Sequence, residues 1–111
     1  MASQDAPALR ITADADGATA ILRLAGELDL ATADLLREHV HRLVRGTGQP
    51  QSLVIDMAGL EFMDVTGLGA LLEARRKGAA TGGSVTIQRP RPMVVRMLNL
   101  LKLEDALQIQ P

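Results

Sequence analysis

Few residues in this 111-residue chain are of types and spacings that do chemistry, and most of them fail on spacing. His39 and His41, the only histidines, lie two apart in a helical pattern and so point to nearly opposite sides, which prevents them from sharing a metal ion. Asp56 and Asp64 are candidates for a pair of acid–base carboxylates. No histidine lies near them in sequence and no substrate pocket is visible, so the reading is non-enzymatic. Gly67-Leu68-Gly69 lacks the third glycine of a dinucleotide fingerprint, and the chain has no Gly-Lys-Ser/Thr phosphate loop. Cysteine is absent, which excludes thiol catalysis, disulfides and Cys-containing metal sites. Neither a cofactor nor a metal is expected.

Asp64-Val65-Thr66-Gly67-Leu68-Gly69 is more informative. It places a carboxylate, a hydroxyl and two glycines where a helix starts. Unpaired backbone N–H groups and the positive end of the helix dipole attract anions there, a phosphate included. An ordinary cap accounts for the same residues: Asp64 or Thr66 satisfies one N–H, and the glycines permit tight packing. The residues alone leave both readings open.

The elements that must position this segment follow from hydrophobic periodicity. Leu9, Ile11 and Ala13 alternate with polar neighbours, and Asp14-Ala15-Asp16-Gly17 supplies turn residues. Ala18 to Ala25 then alternates again, so the two stretches predict a hairpin. Beyond Gly26-Glu27-Leu28-Asp29 the period becomes helical, with Leu36, Val40, Leu43 and Val44 on one face. Asp29 and Thr32 are candidates to cap that helix, and Gly46 lies where it should stop. Gln49-Pro50-Gln51 leads into Leu53-Val54-Ile55, a continuous apolar run that fits a strand buried on both faces. A loop is expected from Ala58 to Asp64, then a helix with Leu68, Leu71 and Leu72 toward the core. Arg75-Arg76-Lys77 complements its C-terminal end, and Gly78, Gly82 and Gly83 close the segment. Ser84–Gln88 reads as a strand, Val94, Met97, Leu98 and Leu101 as a helical stripe behind Pro92, and Leu107–Ile109 as a last strand. The predicted order is β-β-α-β-α-β-α-β. Parallel crossovers should join it into one sheet with helices packed against it.

Composition narrows the function. Apolar residues make up 47% of the chain and charged residues 23%, which rules out disorder as the default. No apolar run approaches the ~20 residues that span a bilayer, and the first residues carry no secretory signal. A cytoplasmic protein without membrane insertion is expected. Twelve Lys+Arg against thirteen Asp+Glu give a net charge of −1, which argues against nucleic acid as a partner. Arg75-Arg76-Lys77 and Arg89-Pro90-Arg91 read as solvated ends of a helix and a loop. Phe62, the one aromatic residue, offers no stacking platform for bases. Residues 1–7 read as a flexible leader and 8–111 as a single domain.

Two separated stretches resemble the STAS family, in particular the bacterial anti-sigma-factor antagonists (anti-anti-sigma factors) of the SpoIIAA and RsbV type. The first is Gly26-Glu27-Leu28-Asp29 with Thr32-Ala33 and an amphipathic helix. The second is Leu53-Val54-Ile55-Asp56, Gly59-Leu60, then Phe62-Met63-Asp64-x-Thr66-Gly67-Leu68-Gly69. Order and spacing agree over roughly residues 8–109, nearly the whole chain. The resemblance implies an α/β fold of the SpoIIAA kind, a mixed four- to five-stranded sheet with helices against it, so that 8–111 would be one STAS domain. It also implies partner switching. Such antagonists, when unphosphorylated, bind an anti-sigma factor that is also a serine/threonine kinase, and so release a sigma factor. The kinase phosphorylates the antagonist at the helix start, and a phosphatase resets it. A phosphate adds about −1.5 to −2 charges that a tight interface must desolvate. Losing ~3 kcal/mol of interface energy weakens binding more than a hundredfold.

The surface implied for the partner combines Glu27 and Asp29, in a loop, with Asp64, Val65, Thr66, Gly67, Leu68 and Gly69. The family's phosphoacceptor, usually serine, directly follows the motif Asp, and that position here is Val65, which has no hydroxyl. Thr66 follows and is the candidate acceptor. Three possibilities stay open: Thr66 has taken over as acceptor, the protein binds constitutively, or the module has another task. A STAS subunit of a lipid-transport ABC complex is the alternative function. Family members commonly continue into another helix after the last strand, whereas this sequence stops at Pro111, so a less covered sheet is expected there. A monomer or weak dimer is expected.

Overall fold

The computed structural model describes residues 8–45 and 52–110. The readings of a 1–7 leader, of Gly46 as a helix stop and of the Gln49-Pro50-Gln51 connection lie outside those residues. Within them the order is β1 (Leu9–Asp16), β2 (Thr19–Leu28), α1 (Ala33–Arg45), β3 (Ser52–Met63), α2 (Val65–Ala80), β4 (Ser84–Gln88) and α3 (Pro92–Leu100). The four strands form one sheet in the order β1-β2-β3-β4. β1 and β2 are antiparallel, and the β2–β3 and β3–β4 pairs are parallel. This is the expected mixed α/β sheet.

The strands are longer than their apolar runs suggest. β1 continues through Asp14-Ala15-Asp16, so the turn shrinks to Gly17 and Ala18, with Gly17 at φ +63°. β2 continues through Gly26 and Glu27 to Leu28, and β3 takes up the expected Ala58–Asp64 loop as far as Met63. The two extensions pair with each other: Ala25 with Gly59, Gly26 with Leu60, Glu27 with Phe62 and Leu28 with Met63. Register shifts fall between Arg23 and Ala25 and between Gly26 and Glu27, and β3 takes up the extra residues as bulges. Gly26 is indispensable to this arrangement. It sits at φ +107°, and a Cβ there would lie 2.2 Å from the Ala8 carbonyl oxygen.

The helices bury the stripes their sequence marks. α1 turns Ala33, Leu36 and Val40 inward, and α2 buries Leu68, Ala70, Leu71 and Ala74. With Leu22, Leu24, Leu28, Ile55, Met57 and Leu60 from the sheet they form an aliphatic core. Each fully buried Leu or Ile contributes about 1.5–3 kcal/mol by leaving water. Arg37 on α1 donates to Glu73 on α2 at 3.0 Å and ties the two helices together. Gly78 does not end α2. It is buried inside the helix, where a Cβ would meet Val85 Cγ2 at 2.3 Å, and the helix stops at Ala80. Only Lys77 of the basic triplet therefore reaches the last turn.

α3 lies against β3, starts with Pro92 in its first turn and buries Val94 and Leu98. Leu101, expected on the same stripe, is the C-cap residue and is exposed. The expected last strand is reduced to one parallel bridge from Ile109 to Ile87. Ile87 N–H donates to Gln108 O at 2.8 Å and Gln110 N–H to Ile87 O at 2.9 Å. The preceding residues are wound into turns, with Leu103 N–H on Leu98 O and Ala106 N–H on Leu103 O. Arg75 holds them from α2 through the carbonyl of Ala106. Only the tip of the segment is left to reach β4.

Candidate functional site

The ends of β2 and β3 deliver two segments to one place. After Leu28 the chain makes a turn fixed by its own side chains. The Asp29 carboxylate accepts the Ala31 N–H at 3.0 Å. The Thr32 hydroxyl accepts the Asp29 N–H at 3.0 Å and donates to the Glu27 carbonyl at 2.8 Å. Asp29 and Thr32 thus close the turn before α1, where a simple side-chain cap was expected. Glu27 stands on the last residues of β2, not in the loop that the resemblance implied, because the strand pairing runs past Gly26.

Asp64 joins this turn to α2. Its Oδ1 accepts the Gly67 N–H at 2.9 Å as the N-cap, while its Oδ2 accepts the Leu30 N–H at 3.3 Å. Its own N–H donates to the Leu28 carbonyl at 3.3 Å. Capping therefore falls to Asp64, not Thr66, and the same carboxylate fixes the turn relative to the helix start. The contact is close because residue 67 has no side chain: a Cβ there would lie 2.2 Å from Leu28 O.

The structure places Glu27, Asp29 and Asp64–Gly69 around this junction, but in different roles. Val65, in the first turn of α2, is 64% exposed, while Thr66 and Gly69 are half-buried. Gly67 and Leu68 are buried, so they seat the helix and offer a partner no side-chain surface. Leu30, outside both motifs, and Phe62, part of the second motif but not among the expected contact residues, expose 78% and 47% of their surface beside the same junction. A large apolar residue between the two cap candidates Asp29 and Thr32 was the available signal for Leu30.

A second polar system lies further back on the sheet. Asp56 on β3 is buried, and its carboxylate accepts Arg89 Nε at 3.3 Å, Arg89 Nη2, and the Ala58 N–H at 3.0 Å. Arg23 Nε stands 3.9 Å away, and Arg23 also pairs with Asp14 on β1. Burial opposes the charged form of Asp56, but the Arg89 and Ala58 hydrogen bonds and the charges of Arg89 and Arg23 outweigh it and hold the carboxyl below its ordinary range. Arg89 adopts φ +54° to make this bond, and Arg91 donates to the Ala58 carbonyl at 3.3 Å. These arginines stay exposed, as the sequence reading has them, while their guanidinium groups are fastened to β3. Asp56 and Asp64 serve separate partners and are not arranged as an acid–base pair.

Among the described residues no group of three or more His, Cys, Asp or Glu gathers as a metal site. His39 Nδ1 lies 2.9 Å from the Leu35 carbonyl within α1. No described helix is long and apolar enough to cross a membrane.

A family model described as STAS domain matches residues 10–111. An anti-sigma F factor antagonist of Paenibacillus polymyxa is 32% identical over 80 residues, covering 72% of this chain and 68% of that protein. An anti-sigma-B factor antagonist of Bacillus subtilis is 30% identical over 88 residues, covering 79% of this chain and 78% of that protein. The crystal structure of an anti-sigma factor antagonist from Mycobacterium paratuberculosis has the same fold. Its TM-score is 0.80 at 24% identity, over 97% of this chain and 91% of that one.

Proposed function

Because the chain belongs to the STAS domain family, we propose that it is an anti-sigma-factor antagonist that binds an anti-sigma factor through the start of α2 and the turn after β2. Its similarity over most of its length to proteins named as antagonists supports this reading over a subunit of a lipid-transport ABC complex. The observation that carries the site is Asp64, which locks the two segments together while Leu30, Phe62 and Val65 stand exposed beside it. Apolar side chains on a framework held by hydrogen bonds suit a binding surface, since little order must be imposed on association. The chain acts by binding and performs no catalysis of its own.

The partner in this proposal is an anti-sigma factor of the serine/threonine-kinase kind, and its release of a sigma factor is the output. Thr66 is the hydroxyl available at the helix start, and a phosphatase would reverse its modification. A phosphate there would bring about −1.5 to −2 charges to the exposed apolar side chains. The residue at the family's acceptor position is Val65, one before Thr66 in α2, and about 100° of helical rotation separates the two side chains. A kinase aligned on residue 65 must therefore re-orient to reach Thr66.

The test is capture of anti-sigma factors on the immobilised chain, with affinity measured for wild type and Val65→Glu. Wild type should retain an anti-sigma factor and compete with its sigma factor. Val65→Glu should weaken binding at least a hundredfold, because a charge is placed within the apolar surface (~3 kcal/mol). Retention of an ATPase with membrane lipids and no anti-sigma factor would overturn the proposal, as would undiminished binding by Val65→Glu.

A further inference from the structure

Among the described residues β1 is an open edge of the sheet, eight residues long and without proline or lysine to blunt it. The Glu27 N–H donates to Ala8 O at 2.7 Å, and the β1–β2 register continues from that pair without a shift. Backbone groups in an antiparallel ladder alternate in direction. Arg10, Thr12 and Asp14 therefore spend theirs on β2, while Leu9, Ile11, Ala13 and Ala15 present theirs outward. The side chains alternate as well. Leu9 is buried and Ile11 half-buried on the helix side, whereas Arg10, Thr12, Asp14 and Asp16 are exposed on the other face.

The charges on that exposed face are arranged symmetrically about Thr12. Arg10 precedes it by two residues and Asp14 follows it by two. Asp14 also ends a row of alternating charge that crosses the sheet, from Arg89 through Asp56 and Arg23. The row stops at the open edge on a carboxylate that is 65% exposed.

We propose that β1 pairs antiparallel with β1 of a second copy about a two-fold axis at Thr12, which sets Arg10 of each copy opposite Asp14 of the other. In this register Ile11 faces Ala13 and Leu9 faces Ala15 of the second copy. All four have outward backbone groups, so the ladder closes with hydrogen bonds. Arg10, Thr12 and Asp14 fall at the non-hydrogen-bonded positions, where opposing side chains are closest. Each Arg10 continues the row of alternating charge beyond Asp14, and opposite charges directly across strands stabilise the pair. A register shifted by two residues opposes Asp14 with Ala8 or Thr12 in place of Arg10 and loses the match. The interface is isologous. It stands independently of the function proposed above.

The chain has no cysteine, so a single substitution reads the register. Thr12→Cys places two thiols across the axis at a Cα separation of about 4.5 Å, within the range a disulfide spans. With oxidised glutathione it should form a covalent dimer quickly, and Asp16→Cys, paired off-axis, should not. In sedimentation equilibrium the wild type should dimerise with rising concentration. Arg10→Asp and Asp14→Lys, which oppose like charges, should each weaken dimerisation about tenfold or more. An equimolar mixture of the two variants should recover it, because both cross-strand pairs are then opposite in sign. Three results would overturn the proposal: a wild type that stays monomeric, cross-linking of Thr12→Cys no faster than Asp16→Cys, or a mixture that associates no better than its components.

Discussion

Two glycines two residues apart in α2 should respond in opposite directions to the same substitution. At Gly67 an added Cβ would lie 2.2 Å from Leu28 O and 2.8 Å from Leu28 C. That is roughly 1 Å inside the closest approach van der Waals contact allows, and the obstacle is backbone that cannot rotate away. At Gly69 a Cβ would meet nothing within 4 Å. In a helix interior the change from Gly to Ala gains about 1 kcal/mol of propensity at either position. Gly69→Ala should keep that gain. Gly67→Ala must lift the start of α2 off β2, at about 1–3 kcal/mol of overpacking. It also strains the Asp64 bond to the Gly67 N–H, so the net effect should be a loss of about 1–2 kcal/mol. For a chain of this length each kcal/mol moves the melting temperature by about 4 °C. Thermal unfolding by circular dichroism should therefore raise Gly69→Ala and lower Gly67→Ala relative to wild type. If Gly67→Ala melts as high as Gly69→Ala, the close seating of α2 on Leu28 is wrong.

Three further outcomes are expected. Asp64→Ala should lose about 1 kcal/mol through the missing cap, and urea titration should show it; Asp64→Asn should recover most of that loss. Asp56, whose folded pKa lies below its unfolded value, contributes stability that is complete above the unfolded pKa of about 3.9. That contribution fades as pH falls through the folded value, so the acid limb of a stability-against-pH curve should be shallower in Asp56→Asn than in wild type. With a cognate kinase and ATP, mass spectrometry should find phosphate on Thr66, whereas Thr32 or Ser84 would refute that site; Val65→Ser should raise the rate of modification, and an unchanged rate would remove the positional reasoning.

Periodicity in the sequence locates α1, α2, α3 and β4, because each buries one regular face. It fails where glycines carry two meanings. Gly26 and Gly59 read as breaks between elements, yet both lie within paired strands where two backbones approach. A Cβ on Gly59 would lie 3.0 Å from Leu24 O. Gly78 read as a stop and is a close contact inside a helix. The site motif is legible at Asp64 because the cap and its glycine lie three residues apart. Its second bond, to Leu30, spans thirty-four residues, and the Arg89 bond to Asp56 spans thirty-three. No local pattern encodes such partners.

The single bridge at Ile109 has a consequence for the limits of self-association. Ile87 lies inside a five-residue β4, and its N–H and C=O are both already engaged by the C-terminal residues. What remains of that border is too short to template another strand. A chain with two sticky borders would polymerise, whereas one with a single usable border can only form closed pairs. In the β1 pairing proposed above, the Gln108–Gln110 segment on β4 would act as a terminator, so that strand addition closes at two copies.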